Sequence, residues 1–291
     1  MLNYSIYKHK RIKMLVQFEL ITSHYIKLQD PTIRGFTDKN IWMMKQFYET
    51  YKDDKKIYTL CREISWSNNR KILSLKTKEE REFYILTSIK EKFSVRQLER
   101  QINNSLFERV MLADKKLSDT MKDLPQNTQG VFRDSYILDF LELAPNHKEK
   151  DLQKALIGSL KNFILELGMG FAFIGEEYKL EVGDDNFRID LLFYHRYLNC
   201  LVAFELKIGK FKPSHLGQLE FYLEALDRDV KTKEENPSIG VLLCREKNDE
   251  VVEYALSRSL SPTVISEYKT KLIPKKILQD KMNELYERFD K

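Results

Sequence analysis

The amino-acid sequence predicts a mainly α-helical N-terminal domain followed by an α/β domain. Three observations lead to that division. Between Thr37 and Leu112 apolar residues recur at helical spacing. From Asp151 onward the order becomes helix, three strand-like runs, helix, strand. Between the two, Pro, Gly and Asn cluster at Asp123–Gly130 and again at Ala144–His147, the composition of a domain boundary. The expected limits are a helical domain over 1–125, a linker over 126–148, an α/β domain over 149–270 and a helical tail over 271–291. A chain of 291 residues can hold two ordinary domains or one large one.

In the first part, Ile41, Met44, Phe47, Tyr48 and Tyr51 follow Thr37 at helical spacing. Thr77-x-x-Glu80 has the form of a capping box ahead of Phe83, Ile85, Leu86 and Ile89. Ser94-x-x-Gln97 is a second, with Phe93 and Leu98 placed as the hydrophobic staple. The helix it opens carries Arg96, Gln97, Arg100 and Gln101 beside an apolar stripe of Val95, Leu98 and Ile102. A short helix pair ending in such a face is the form of a helix-turn-helix or winged-helix reader of DNA, with Arg96, Gln97 and Arg100 as nucleic-acid-binding candidates. Any amphipathic surface helix has the same form.

Charge is unevenly spread. Residues 1–124 carry 25 Lys and Arg against 16 Asp and Glu, whereas residues 125–291 carry 24 against 28. A net of +9 followed by −4 suits a polyanion-binding part joined to a cation-holding part; ordinary scatter is the plainer alternative. No apolar run approaches the ~20 residues that span a bilayer, so no membrane partner is expected. The Lys-rich start, Met1–Lys13, is not followed by an apolar signal region, and a cytoplasmic location is expected. Cys61, Cys200 and Cys244 match neither a disulfide framework nor a zinc spacing, and the last two lie in apolar runs as expected buried thiols.

In the second part, Leu152, Ala155, Leu156, Leu160, Phe163 and Leu167 mark one helix that stops at Gly168 and Gly170. Strand-like runs follow at Phe171–Val182, Phe187–Tyr194 and Leu201–Ile208, the first pair joined by a hairpin turn at Gly183–Asn186. A helix over Ser214–Leu226 and a strand over Ile239–Cys244 come next. The stretch after Ser266 reads as helical, with Ile277, Met282, Leu285 and Phe289 in one apolar stripe.

The chemistry lies in two of these runs. Strand periodicity puts Phe187, Ile189, Leu191 and Phe193 on one face and Asp190 on the other. Leu201–Ile208 is almost continuously apolar, the mark of a strand covered on both faces, yet it contains Glu205 and Lys207, two apart and on one face. Such charges are retained inside a protein only when paired or used. An ion pair between strands is one reading. The other is a site in which Asp190 and Glu205 supply oxygen ligands to a hard cation, Mg²⁺ or Mn²⁺, while Lys207 handles water and phosphate. Gln218 and Tyr222 share a helical face beside it. Lys210 and Lys212, just beyond the strand, are further nucleic-acid-binding candidates or solvated loop lysines. His195 sits next to a turn and is not expected to be a ligand.

Asp190 with Glu205-Leu206-Lys207 on helix–three strands–helix–strand resembles the PD-(D/E)XK nuclease superfamily, with its restriction-endonuclease-like αβββαβ core. Ile189 stands where the superfamily's naming proline would be. Gln218-x-x-x-Tyr222 resembles the pattern of RecB-like members. Gly175-Glu176, Leu180–Gly183, Ile189–Arg196, Glu205–Pro213, Gly217-Gln218 and Glu235–Gly240 are similar to the bacterial YhcG-like family of PD-(D/E)XK nuclease-domain proteins over residues 150–270. Gly35–Thr37, Asn40, Met44, Phe47-Tyr48, Trp66-Ser67 and Glu79–Tyr84 look like landmarks of that family's DNA-binding helical domain, whereas residues 1–34 show none.

The resemblance implies a Mg²⁺- or Mn²⁺-dependent endonuclease that hydrolyses phosphodiester bonds of DNA, in restriction, phage defence or repair and recombination. Asp190, Glu205, Lys207, Gln218 and Tyr222 would be its catalytic residues. Asp190, Glu205 and the Leu206 carbonyl would hold the metal, with Glu149 or Asp151 adding a carboxylate. A homodimer or a defence complex would be its assembly. The alternatives are a catalytically silent DNA-binding or scaffold subunit, and a nuclease directed at RNA or junctions.

Overall fold

The computed structural model describes residues 19–113, 118, 120–121, 130–144 and 146–289, which fall into two compact units divided at Glu99/Arg100. Most of the Asp123–Gly130 cluster, Pro145 and the side chains of Leu285 and Phe289 lie outside the described residues.

The first unit contains α1 (19–29), α2 (Asp38–Tyr51), α3 (Lys55–Leu60), α4 (Trp66–Leu73), α5 (Lys78–Glu91) and the start of α6 (Val95–Asn103). Side chains close the helix starts as their types dictate. Thr37, Asp54, Ser65 and Thr77 each accept from the backbone N–H three residues on, at 3.1–3.3 Å. At Ser94 the capping box is complete: Gln97 N–H donates to Oγ at 3.4 Å, and the Ser94 N–H donates to Gln97 Oε1 at 2.8 Å. Phe93 and Leu98 are both buried beside it. Among the described residues this unit has helices and no strand, so the helix pair is present without a β-wing.

The second unit adds α7 (Leu106–Met111), β1 (Ser135–Ile137), α8 (Glu149–Gly158), α9 (Leu160–Leu167), β2 (Phe171–Val182), β3 (Asp185–His195), β4 (Cys200–Lys210), α10 (Ser214–Ala225), β5 (Ile239–Glu246), α11 (Asp249–Leu256), β6 (Thr263–Lys269) and α12 (Lys275–Phe289). The six strands form one sheet in the order β1-β6-β5-β4-β3-β2. β2, β3 and β4 are an antiparallel meander, and β4, β5, β6 and β1 run parallel. Leu152, Leu156, Phe163 and Leu167 of α8 and α9 cover one face, against Leu191, Phe193, Val202, Phe204, Val241 and Val264. Leu216, Leu219, Leu223, Val252 and Leu256 of α10 and α11 cover the other, against Ile189, Leu192, Ala203, Leu242 and Ile265. Covered twice, β4 and β5 bury nearly every apolar residue they carry, which explains their unbroken hydrophobic runs. Gly240 lets α10 lie close on β5, since a Cβ there would meet Leu219 at 2.9 Å.

Four features differ from expectation. The single helix over Asp151–Leu167 is two, broken at Gly158-Ser159, where glycine weakens the helix. Ser266–Lys269 belongs to β6 rather than to a helix, and the tail helix starts at Lys275; α11 also goes unannounced in the sequence. Residues 126–148 include β1 and the buried Phe132, Tyr136, Leu138 and Leu141. Finally, β3 does not alternate throughout: Leu191 and Phe193 pack on the α8–α9 face, but Ile189 and Phe187 pack on the α10–α11 face. The break falls at Asp190, which the register of neither neighbouring strand pairs.

Near β1 the fold is held by a buried carboxylate. Glu166 of α9, fully buried, accepts from the Ile137 N–H at 2.9 Å and from Arg133 Nη1 at 3.1 Å. The Arg100 and Arg109 guanidiniums each lie 3.8 Å from it. Removing one partner from such a set strands the remaining charges. Glu166→Ala is therefore expected to destabilise the protein by about 3–5 kcal/mol, measured by urea denaturation. A loss well under 1 kcal/mol would contradict this.

Candidate active site

The site forms where β3 and β4 part. Their ladder runs from His195↔Cys200 to Leu191↔Phe204 and stops. One residue further on, the Leu206 N–H donates to Asp190 Oδ2 at 2.8 Å, so a side chain takes the place of a strand carbonyl. On the other side of β3, β2 pairs Glu176 with Leu191 and Tyr178 with Ile189, passing over Asp190. Opposite it Glu177 takes φ +44°, a left-handed conformation uncommon for a non-glycine residue.

Glu205 lies one residue before the Leu206 N–H that binds Asp190, only 2% exposed. Its Oε1 accepts from Lys207 Nζ at 2.8 Å, while its Oε2 is buried without a hydrogen-bond partner. Lys207 Nζ also lies 3.9 Å from Glu149 Oε2, at the start of α8. Burial pushes the Glu205 carboxyl up to about 7; the neighbouring Asp190 charge adds to this and the Lys207 ammonium opposes it. Asp190 is raised for the same first reason, against the pull of the Leu206 N–H and Lys207. For Lys207, burial acts to lower the value, but the hydrogen bond to Glu205 and the charges of Glu205, Glu149 and Asp190 outweigh it, and the ammonium is held above its usual range. Two carboxylates with repelling charges and an unpartnered oxygen are the side chains here that could hold a cation. Among the described residues no three Asp, Glu, His or Cys side chains are gathered closely enough to enclose one by themselves.

Asp190, Glu205, Lys207 and Glu149 are thus brought together, and Asp151 is not. Asp151 Oδ2 accepts the Lys148 N–H at 2.8 Å, capping α8. Gln218 Nε2 donates to the Tyr222 hydroxyl at 2.6 Å, and that phenol is close enough to feel the charges of Glu205, Asp190 and Lys207. Lys210 and Lys212 are exposed past the end of the buried part of β4. Of the α6 candidates, Arg96 is exposed, Gln97 is committed to the cap, and Arg100 binds Asp139 at 3.0 Å and the Ile137 carbonyl at 3.2 Å. His195 lies at the far end of β3, bonded to the Met169 carbonyl and to the Leu198 N–H; Gly170 leaves room for its ring, which a Cβ would meet at 2.7 Å. All three cysteines are buried, and burial raises their thiols to about 11 or 12.

Two residues escaped the sequence reading. Gln153 is buried and donates from Nε2 to the Asp190 carbonyl at 3.0 Å. His215 accepts the Lys212 N–H on Nδ1 at 3.3 Å; burial, then Lys207 and Lys212, lowers its value. Helical spacing was the available signal: Gln153 is four residues past Glu149, and His215 is three before Gln218.

A family model described as the YhcG PDDEXK nuclease domain matches residues 129–283. The chain belongs to that family. A second model, the DUF1016 N-terminal domain, matches residues 17–109, reaching into the stretch before residue 35 where the sequence alone offers no landmark. "Putative nuclease YhcG" of Escherichia coli (strain K12) is 35% identical over 282 residues, covering 86% of this chain and 75% of that protein. Among solved structures, an EndoMS–double-stranded DNA complex aligns over 45% of this chain and 48% of its own, at 16% identity and a TM-score of 0.31. A repair endonuclease from Pyrococcus abyssi aligns over 45% and 50%, at 17% identity and a TM-score of 0.29. The chain thus spans about half the length of those structures. What the family match shows is a nuclease domain of PDDEXK type on a mixed α/β sheet. Among the described residues no helix is long and apolar enough to cross a membrane.

The raised Glu205 has a measurable consequence. Its ordinary value is 4.5, so the folded protein holds this proton more tightly than the unfolded chain does. That stabilisation is complete below about 4.5 and is lost as pH rises through about 7. Glu205→Gln resembles the protonated form at every pH. In EDTA, thermal unfolding should show the variant gaining on the wild type between about pH 5 and pH 8, by on the order of a few kcal/mol. A pH-independent difference would contradict the raised value.

Proposed function

We propose that this chain is a divalent-metal-dependent endonuclease acting on DNA. The observation that carries the reading is Glu205: a buried carboxylate with one oxygen unpartnered, beside Asp190 at the point where two strands separate, with Lys207 on its own face. A buried carboxylate left half-satisfied is costly unless something completes it. A hard cation such as Mg²⁺ or Mn²⁺ fits this all-oxygen set. Asp190, Glu205 and the Leu206 carbonyl would hold it, and Glu149 is better placed than the capping Asp151 to add a carboxylate. Bound there, the ion would supply positive charge for the phosphate and acidify water.

The remaining work falls to the chain itself. Lys207, fixed by Glu205 and kept charged, can orient the attacking water in line with the scissile bond and offset charge on the phosphoryl oxygens. Tyr222, held by Gln218, presents a phenol on the same side for the scissile strand. Lys210 and Lys212 are free to meet flanking phosphates. DNA as the substrate is supported by the basic balance of residues 1–124 and by the helix pair α5–α6, whose exposed Arg96 is the member of the α6 set open to a backbone contact. Cutting both strands of a duplex would need two such sites, which suits a homodimer; restriction, phage defence and repair are the settings such an activity would serve.

Purified Asp190→Ala and Lys207→Ala proteins, folded by circular dichroism, should each lose at least about a hundredfold in Mg²⁺-dependent plasmid cleavage. EDTA should abolish cleavage by the wild type. Cleavage that persists in both variants would overturn the assignment.

A further inference from the structure

Asp190 is held through its backbone as well as through its side chain. The registers of β3 with β2 and with β4 pair its neighbours but not Asp190 itself. A backbone carbonyl at such a gap in the pairing is open to a side-chain donor. The donor is the Gln153 side chain, 7% exposed, reaching from α8 to Asp190 O at 3.0 Å. On the same helix, one turn earlier, stands Glu149, which faces Lys207. Asp190 is therefore held at both ends: its carbonyl by α8 and its carboxylate by the Leu206 N–H of β4. Leu152 and Leu156, on either side of Gln153, anchor α8 in the core at 0% exposure, so the amide is carried on a fixed platform.

We propose that Gln153 is a positioning residue for the cation seat. Through one hydrogen bond it sets the height of Asp190 on the splayed strand and locks that residue to the helix turn bearing Glu149. The amide is suited to this role, because it donates to a carbonyl without adding a further negative charge to a site that already crowds Asp190, Glu205 and Glu149. Outer contacts that orient a ligand commonly alter metal affinity tenfold or more when removed. The inference rests on the metal-dependent reading above, and its test separates the two.

The experiment is a calorimetric titration of the full chain with Mn²⁺, in the absence of nucleic acid, on wild type, Gln153→Met and Leu156→Ala, alongside thermal unfolding of each metal-free protein. Met keeps the length and bulk of Gln but cannot donate. Leu156→Ala removes packing from the same helix without touching Asp190. Gln153→Met should raise the Kd for Mn²⁺ about tenfold or more, whereas Leu156→Ala should lower Tm and leave the Kd within about twofold of the wild type. Should Gln153→Met fail to fold, Gln153→Asn, whose amide is one methylene too short to reach, gives the same comparison. Wild-type affinity in the Gln153 variant would overturn the positioning role while leaving the metal reading intact. An equal loss in Leu156→Ala would overturn it too, by assigning the effect to helix stability. A wild-type protein that binds no Mn²⁺ would overturn the metal reading itself.

Discussion

The Leu206 N–H donates to a carboxylate of β3 instead of to a strand carbonyl, and the site depends on that substitution. With a regular ladder, β3 and β4 would continue side by side with Asp190 directly opposite Glu205, and no space would open between the two backbones. With the side chain as the bridge, the Leu206 N–H keeps a partner where the strands separate. Asp190 satisfies Leu206, and Gln153 satisfies Asp190. The break in β3's alternation belongs to the same event: Ile189 and Leu191, two apart, face opposite layers because Asp190 between them is turned out of the ladder.

The two covering layers make this opening effective. Burial on both faces of β4 is what deprives Glu205 of water and raises it to about 7, beside a second carboxylate raised in the same direction. In the absence of a cation the arrangement is electrostatically unfavourable, and Lys207 offsets only part of it. The rest of the domain supplies rigidity around it. Edge-to-face and tilted rings of Phe163, Phe171, Phe193 and Phe204, with centroids 5.4–6.3 Å apart, fill the α8–α9 side. Glu166 and its arginines fasten β1 to α9 further along that side. Local strain and unpaired charge at the site are sustained by packing elsewhere in the same layers.

Much of this was legible in the sequence where the signal was local. The run Phe171–Val182 is a strand with the expected limits, and Glu205 and Lys207 betray themselves as charges inside a doubly covered strand. Caps at Thr77 and Ser94 formed where their spacing placed them. What stayed hidden depends on partners distant in sequence. Ser135–Ile137 is a strand because β6 lies beside it, and the short run has no pattern strong enough to announce this alone. The choice between Glu149 and Asp151 turned on a cap: the third helical residue can reach back to the N-cap N–H and the first cannot. Gln97 was likewise consumed by its capping box, and Arg100 by Asp139 and Ile137, neither of which a helical-face argument can foresee. Gln153 reads as an ordinary helical glutamine until its amide is seen to meet the Asp190 carbonyl of β3.

Asp190 and Glu205 are proposed to seat one divalent cation between them. The sharpest test is anomalous diffraction from crystals of the protein grown with Mn²⁺. An anomalous peak is expected within about 2.0–2.4 Å of oxygens from both carboxylates. A peak held by neither, or none at saturating Mn²⁺, would contradict it.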